Sequence, residues 1–298
     1  SLHHYKKLNN KLKLQVMGLS DLGEQILRSS EHFVAAYYRK TEIMGVLNLT
    51  PDSFYDGGAN ISIEKMRKKV LEIEKYADII DIGAESSRPG SAPVSAQDQI
   101  ARLTPFFEIK KRFEIPVSLD TRDHEVFRHF KDRIDILNDI SGVSDHATAE
   151  LLAETEHDIV IMHMKGTPED MQDKPEYDDV IDEILNYFEQ KLLFFEKLNV
   201  RASRIILDPG IGFGKKYEDN IRILKQIDAF KQFGSRIMIG HSNKSFMKDI
   251  YKEEYEEKRE LGTLGIAAYL FMKKIDIIRV HDTSSVRSIF QALNALDK

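Results

Sequence analysis

Short apolar runs, each closing on a polar or charged residue, recur along the chain at 43–48, 78–83, 117–120, 135–139, 158–163, 204–208, 236–240 and 276–281. They are rich in Ile, Val and Leu, the composition of strands buried on both faces in a parallel sheet. Between most of them lie stretches with helical spacing. In 62–76, the apolar residues Ile63, Met66, Val70, Leu71 and Ile73 oppose a charged face. The segments 177–198 and 217–230 read the same way, and 263–273 is apolar enough to predict a largely buried helix. Eight strand–helix units in one chain predict an α/β fold, a (β/α)8 TIM barrel over 43–298, with a doubly wound sheet as the weaker alternative. Residues 1–42 precede the first strand and predict an N-terminal extension, a leader helix over 19–38 that caps the barrel bottom.

Composition narrows the function classes. With 298 residues, 42% of them hydrophobic, the chain can bury a large core, and α/β barrels use about 250 residues as one domain. Forty-three basic against 49 acidic residues leave a net charge of −6, which argues against a chain built to coat nucleic acid or anionic lipid. The absence of Cys excludes disulfides, thiolate nucleophiles and Cys-ligated metals. No apolar run approaches the ~18 residues of a membrane span, and the start, SLHHYKK, has no signal-peptide core. A first residue of Ser rather than Met points to a trimmed start. The expectation is a soluble cytoplasmic protein.

The strand ends carry the chemistry. They supply Asn48; Asp81, with Glu85 and Arg88 just beyond; Asp120; Asn138 and Asp139; His163; Asp208; Ser242 and Lys244; Arg279 and His281. A closed barrel brings its strand ends to one face, where barrel enzymes hold their sites. Burying one Asp is ordinary, but charges at so many strand ends cost several kcal/mol each unless paired or used. Ionised carboxylates only accept hydrogen bonds and Asn does both, so this set suits a ligand rich in N–H groups. Arg, Lys and His on the last two strands suit an anion, and the Asn48 carbonyl suits a hard metal such as magnesium. The rim therefore reads as a site for a polar heterocycle joined to a phosphate, with no obvious Ser–His pair for covalent catalysis.

Other templates fail. Gly210–Lys215 (GIGFGK) lacks P-loop spacing and no Ser or Thr follows Lys215. His124, Glu125 and His129 are spaced HExxxH, which does not put both imidazoles on one helix face for zinc. The run 252–260 (KEEYEEKRE) reads as a solvated helix face, and the basic leader is too sparse for nucleic acid.

Eight motifs in order resemble the dihydropteroate synthase family. They are MGVLNLTPDSFYDGG (44–58), DIGAESSRPG (81–90), SLDT (118–121), NDI (138–140), MHM (162–164), DPGIGFGK (208–215), SNKS (242–245) and RVHD (279–282). The resemblance runs from about residue 43 to the C-terminus. It implies condensation of 6-hydroxymethyl-7,8-dihydropterin pyrophosphate with p-aminobenzoate, using Mg2+, by a dissociative mechanism in which pyrophosphate leaves first. It implies catalytic roles for Asp120, Lys244, Arg279 and His281. The pterin would be bound by Asp120, Asn138, Met162, Asp208, Phe213, Lys244 and Arg279, and the pyrophosphate by Asn48, Arg279 and His281, with Asn48 near the metal. Loops 50–60 and 85–94 would bring Phe54, Ser87, Arg88 and Pro89 to p-aminobenzoate, with Ser245 near its carboxylate. Sulfonamides would compete there. No nucleic-acid or membrane partner is implied; a homodimer is.

Two departures bear on this. The family usually reads Ser-Arg-Lys-Ser where this chain has Ser242-Asn243-Lys244-Ser245, which removes a cation beside the second pocket. The leader is longer than the family needs and reads either as a cap or as the join to another folate-pathway domain. Two rival functions follow. A pterin-dependent methyltransferase would not need the SSRPG and FYDGG loops that are present, and a catalytically silent pterin-binding subunit would bind pterin without releasing pyrophosphate.

Overall fold

Parallel strands β1 (Glu42–Asn48), β2 (Ile79–Gly83), β3 (Val117–Asp120), β4 (Ile136–Asp139), β5 (Asp158–Met162), β6 (Ile205–Asp208), β7 (Arg236–Gly240) and β8 (Ile277–Val280) close on themselves in sequence order in the computed structural model. The structure describes residues 40–50, 59–86, 91–109, 113–167, 170–171, 173 and 175–296. The leader helix expected at 19–38 lies outside them. Around the barrel stand α1 (Ala59–Tyr76), α2 (Ala96–Ile109), α3 (His124–Phe130), α4 (His146–Ala153), α5 (Val180–Lys197), α6 (Tyr217–Lys225), α7 (Tyr255–Met272) and α8 (Thr283–Leu296). Among the described residues no helix is long and apolar enough to cross a membrane.

The expected strands that opened on Asp78, Asp135 and Asp276 begin one residue later, for a shared reason. Each Asp uses its side chain to accept a backbone N–H from the first or second residue of a neighbouring strand: Asp78 from Ile43 (2.9 Å), Asp135 from Val117 (2.8 Å) and Asp276 from Ile237 (2.8 Å). Three helices start on Asp caps at Asp123, Asp145 and Asp179, whose carboxylates accept the orphan N–H groups of the first turn. The Asp179 cap sets the start of α5 three residues after the expected 177. The helix expected over 217–230 is α only to Lys225 and finishes as a 3-10 segment, Ile227–Phe233, that ends on Gly234 at φ 70°. The helix expected at 263–273 begins at Tyr255 and takes in most of the mixed-charge run. It buries Tyr255, Gly262, Thr263, Ala267 and Leu270 while exposing Leu261 and Met272, so it is half rather than largely buried.

Alternation along the strands divides the core in two. Met44, Ile79, Ile136, Val160, Ile206, Met238 and Ile277 point inward and fill the lumen as one apolar layer. The opposite parity packs outward against the helices, where Phe106, Phe127, Phe188, Phe195, Phe230 and Phe290 are buried. At Gly45 a Cβ would lie 2.7 Å from Ile73 and 2.8 Å from Thr283, so only glycine lets α1 and α8 close on β1.

Candidate active site at the barrel rim

One pleat above the apolar layer, the same inward parity presents Asp81, Asn138, Met162, Asp208, Gly240 and Arg279, with Asp120 and Asn48 at the strand ends. Arg279 lies among the carboxylates. Its Nε donates to Asp81 Oδ2 (2.7 Å), and Nη2 reaches both Asp81 Oδ2 (2.6 Å) and Asp120 Oδ2 (2.7 Å). Asn138 Nδ2 donates to Asp81 Oδ1 (3.3 Å). Asp81, fully buried, thus fixes two of the expected pterin residues at once.

One guanidinium is shared by two carboxylates, so it cannot neutralise both once both are ionised. Burial pushes the Asp120 carboxyl up to about 7 against the pull of Arg279, and Asp81 adds to the rise. Burial works to lower the Arg279 pKa, but the carboxylates of Asp81 and Asp120 more than offset it and hold the guanidinium charged. Burial likewise raises Asp208 to about 6, although its Oδ1 accepts the Gly210 N–H at 2.8 Å.

Beside these acceptors lies an apolar cluster of Ile140, Met162, Met171 and Phe213, with Met164 packed on it; Met162 is the register neighbour of Asp208. Lys244 Nζ lies 3.8 Å from the centre of the Phe213 ring, a cation–π contact, and burial brings its pKa down to about 8. A planar ligand inserted here meets an aromatic face on one side and hydrogen-bond acceptors along its edge.

At the end of β7, Ser242 Oγ lies 2.9 Å from His281 Nδ1 and accepts the His281 backbone N–H at 3.4 Å. The rim therefore does contain a Ser–His pair, contrary to the sequence reading, because β7 and β8 are neighbours and residues 39 apart in sequence meet. Asn48, half-buried at the end of β1, offers one hard amide oxygen. Among the described residues no group of three or more His, Cys, Asp or Glu side chains forms a metal cage. That donor set fits magnesium, which keeps several waters and binds through one or two protein oxygens and substrate phosphates.

Two expected rim groups face elsewhere. Asp139 and His163 have the outward parity. Asp139 accepts the N–H groups of Ser141 (2.7 Å) and Val143 (3.2 Å), and His163 packs against Tyr187 and Lys215. Glu85 pairs with Arg122 and accepts the Val94 N–H (3.2 Å) at the base of its loop. Phe54, Ser87, Arg88 and Pro89 lie outside the described residues, and Ser245 is exposed beside Lys244.

Asn243, the departure from the family pattern, sits at φ 54°, a left-handed conformation Asn tolerates well. Its N–H donates to Thr263 Oγ1 (3.1 Å) and its side-chain oxygen lies 3.5 Å from the same hydroxyl, so the side chain turns to α7. Sequence reasoning assigned no role to Asp81, Ser242 or Lys215. Inward parity singles out Asp81; Lys215, in a glycine-rich loop, was passed over with the failed P-loop template.

A family model described as pterin binding enzyme matches residues 44–281. The dihydropteroate synthase of Escherichia coli (strain K12) is 38% identical over 256 residues, 85% of this chain and 90% of that one. The Yersinia pestis dihydropteroate synthase, solved as a sulfonamide drug complex, is 30% identical with a TM-score of 0.78, covering 87% of this chain and 94% of that one. The Xanthomonas albilineans dihydropteroate synthase, solved with 4-aminobenzoic acid, is 28% identical with a TM-score of 0.79, covering 87% and 93%.

Proposed function

Since the chain belongs to the pterin-binding enzyme family, and within it to the dihydropteroate synthases of folate biosynthesis, we propose that its rim joins 6-hydroxymethyl-7,8-dihydropterin pyrophosphate to p-aminobenzoate. The observation that carries this reading is the buried cluster of Asp81, Asp120 and Arg279 in the same lumen as an apolar cluster that includes Met162 and Phe213. The carboxyl groups of Asp120 and Asp208, with Asn138, take the pterin's N–H groups. Met162 and Phe213 line its face, and Lys244 meets its carbonyl from above the Phe213 ring. Arg279 lays its planar guanidinium against the heterocycle and, with His281 and Asn48, receives the pyrophosphate.

The bond from the pterin methylene carbon to the pyrophosphate oxygen breaks, and its electron pair leaves with the pyrophosphate. The positive charge left on the pterin is met by the fixed carboxylates of Asp120 and Asp208, electrostatic stabilisation in a site already arranged for it. The amine nitrogen of p-aminobenzoate then bonds to the methylene carbon and gives up a proton to water. No covalent enzyme intermediate is required, so Ser242 serves His281 rather than attacking. The Asn48 side-chain oxygen would be the protein ligand for magnesium, which would supply charge neutralisation to the leaving group. Phe54, Ser87, Arg88, Pro89 and Ser245 are assigned to p-aminobenzoate, and sulfonamides would compete for that pocket. The reading extends to a cytoplasmic enzyme and to a homodimer, the latter open to sedimentation velocity.

The test is pyrophosphate release from the dihydropterin pyrophosphate with Mg2+, with and without p-aminobenzoate. Release that depends on p-aminobenzoate and is blocked by a sulfonamide is expected. Pterin binding with no release would replace this reading with the silent pterin-binding subunit.

A further inference from the structure

Lys215 closes the glycine-rich loop after β6 and takes no part in the chemistry above, yet it is only 3% exposed. Its Nζ donates to the carbonyl oxygens of Phe213 (2.9 Å) and His163 (3.1 Å) and lies 3.1 Å from His163 Nδ1. An ammonium has three protons for these three partners; a neutral amine has two. The His163 ring is neutral, its pKa pushed down to about 2 by burial and then by Lys215, which leaves Nδ1 able to accept.

The loop is threaded tightly against the end of β5. A Cβ on Gly210 would lie 2.0 Å from the His163 carbonyl oxygen, and one on Gly214 2.3 Å from that of Lys165. Both glycines have positive φ, 70° and 57°. Between them the loop carries Phe213, whose ring lies under Lys244, and at its start Asp208, whose carboxylate attracts Lys215. The Lys215 Nζ is thus a buried hydrogen-bonding tie between the strand end that bears Met162 and the loop that bears Phe213.

We propose that Lys215 is a positioning residue for the pterin: its ammonium staples the 208–215 loop to the end of β5 and so holds Asp208 at the heterocycle's edge and Phe213 at its face. This rests on the reading of the rim as a pterin site. The charged and titratable groups that face Lys215 are Asp208 on β6, Asp219 on α6, Lys244 after β7 and His163 after β5, and Lys165 in turn acts on His163. Burial lowers the Lys215 pKa to about 7 while Asp208 and Asp219 oppose it. As pH rises through that value the staple loses a donor, and pterin affinity falls.

The experiment compares kcat and both KM values from pH 5.5 to 9 for the wild type, Lys215→Met and Lys215→Arg, with thermal unfolding of each. In the wild type, KM for the dihydropterin pyrophosphate should rise above pH 7. Lys215→Met should raise that KM about tenfold or more at pH 7 while leaving KM for p-aminobenzoate within about twofold. Lys215→Arg, charged at every pH used, should restore the pterin KM to within about threefold and remove the rise centred near pH 7, leaving only one centred near 8, where Lys244 titrates. An unchanged pterin KM in Lys215→Met, or an equal rise in both KM values, overturns the proposal. If Lys215→Met does not fold, the Arg variant decides alone, since a rise centred near pH 7 that persists in it cannot come from Lys215 and overturns the proposal. Asp208→Asn separates the two failures: should it bind pterin normally, the rim reading itself falls.

Discussion

The barrel lumen holds two layers, one pleat apart on the same strands and, Arg279 apart, almost equally buried, that differ completely in chemistry. Ile79, Ile136, Ile206 and Ile277 form the lower layer, and two residues further on stand Asp81, Asn138, Asp208 and Arg279. Burying an Ile contributes on the order of 2 kcal/mol. Burying Asp208 instead raises its pKa to about 6, a direct sign that the fold resists the charge it carries at neutral pH. The lower layer holds the barrel closed, and the upper layer gives up stability to keep acceptors dry and aimed at a ligand.

Breaking the upper layer should leave the fold and remove the activity. Asp120→Asn and Lys244→Ala should each lower kcat/KM on the order of 100-fold or more. Unfolding temperatures should stay within a few degrees of wild type, because both side chains lie at the open rim. Full activity in either variant would remove the role assigned to that residue. Breaking the lower layer should do the reverse. Ile206→Ala empties a fully buried position and should cost about 2–4 kcal/mol in denaturant unfolding. Its kcat/KM at 25 °C should remain within about threefold of wild type, as the cavity lies a pleat below the rim.

The same two layers explain how far the sequence could be read. Strands buried on both faces are conspicuous as apolar runs, so the closed barrel was legible, and three of the errors at strand starts fall on Asp78, Asp135 and Asp276, whose side chains tie neighbouring strands. The four helices over 96–109, 124–130, 146–153 and 283–296 were less visible; two are at most eight residues long, and 96–109 contains Pro105. At the rim, the expected pterin residues Asp120, Asn138, Asp208 and Arg279 do share the lumen. Asp139 and His163 do not, because a strand end offers two adjacent polar residues and only parity decides which one enters the barrel. Asp81 was seen without its task, since nothing local in sequence says that a guanidinium 198 residues away will bind it. Lys215 was hidden for a like reason, its partners being two backbone carbonyls and a ring brought together only by closure of the loop.

The smallest effect is also the sharpest test of the contrast. Asp208 titrates near 6 in the fold and near 3.8 in an open chain, so the native state binds more protons between those values and loses stability as pH rises through them. Asp208→Asn keeps an oxygen for the Gly210 N–H and removes the buried charge. Thermal unfolding at pH 7.5 and pH 4, with binding of the dihydropterin pyrophosphate at pH 7.5 on the same preparation, reads both sides of the exchange. The variant should be more stable than wild type by about 1–3 kcal/mol at pH 7.5, lose most of that gain at pH 4, and bind pterin poorly. A variant less stable at pH 7.5 that still binds pterin would contradict the account, for Asp208 would then be a structural group rather than one kept for its ligand.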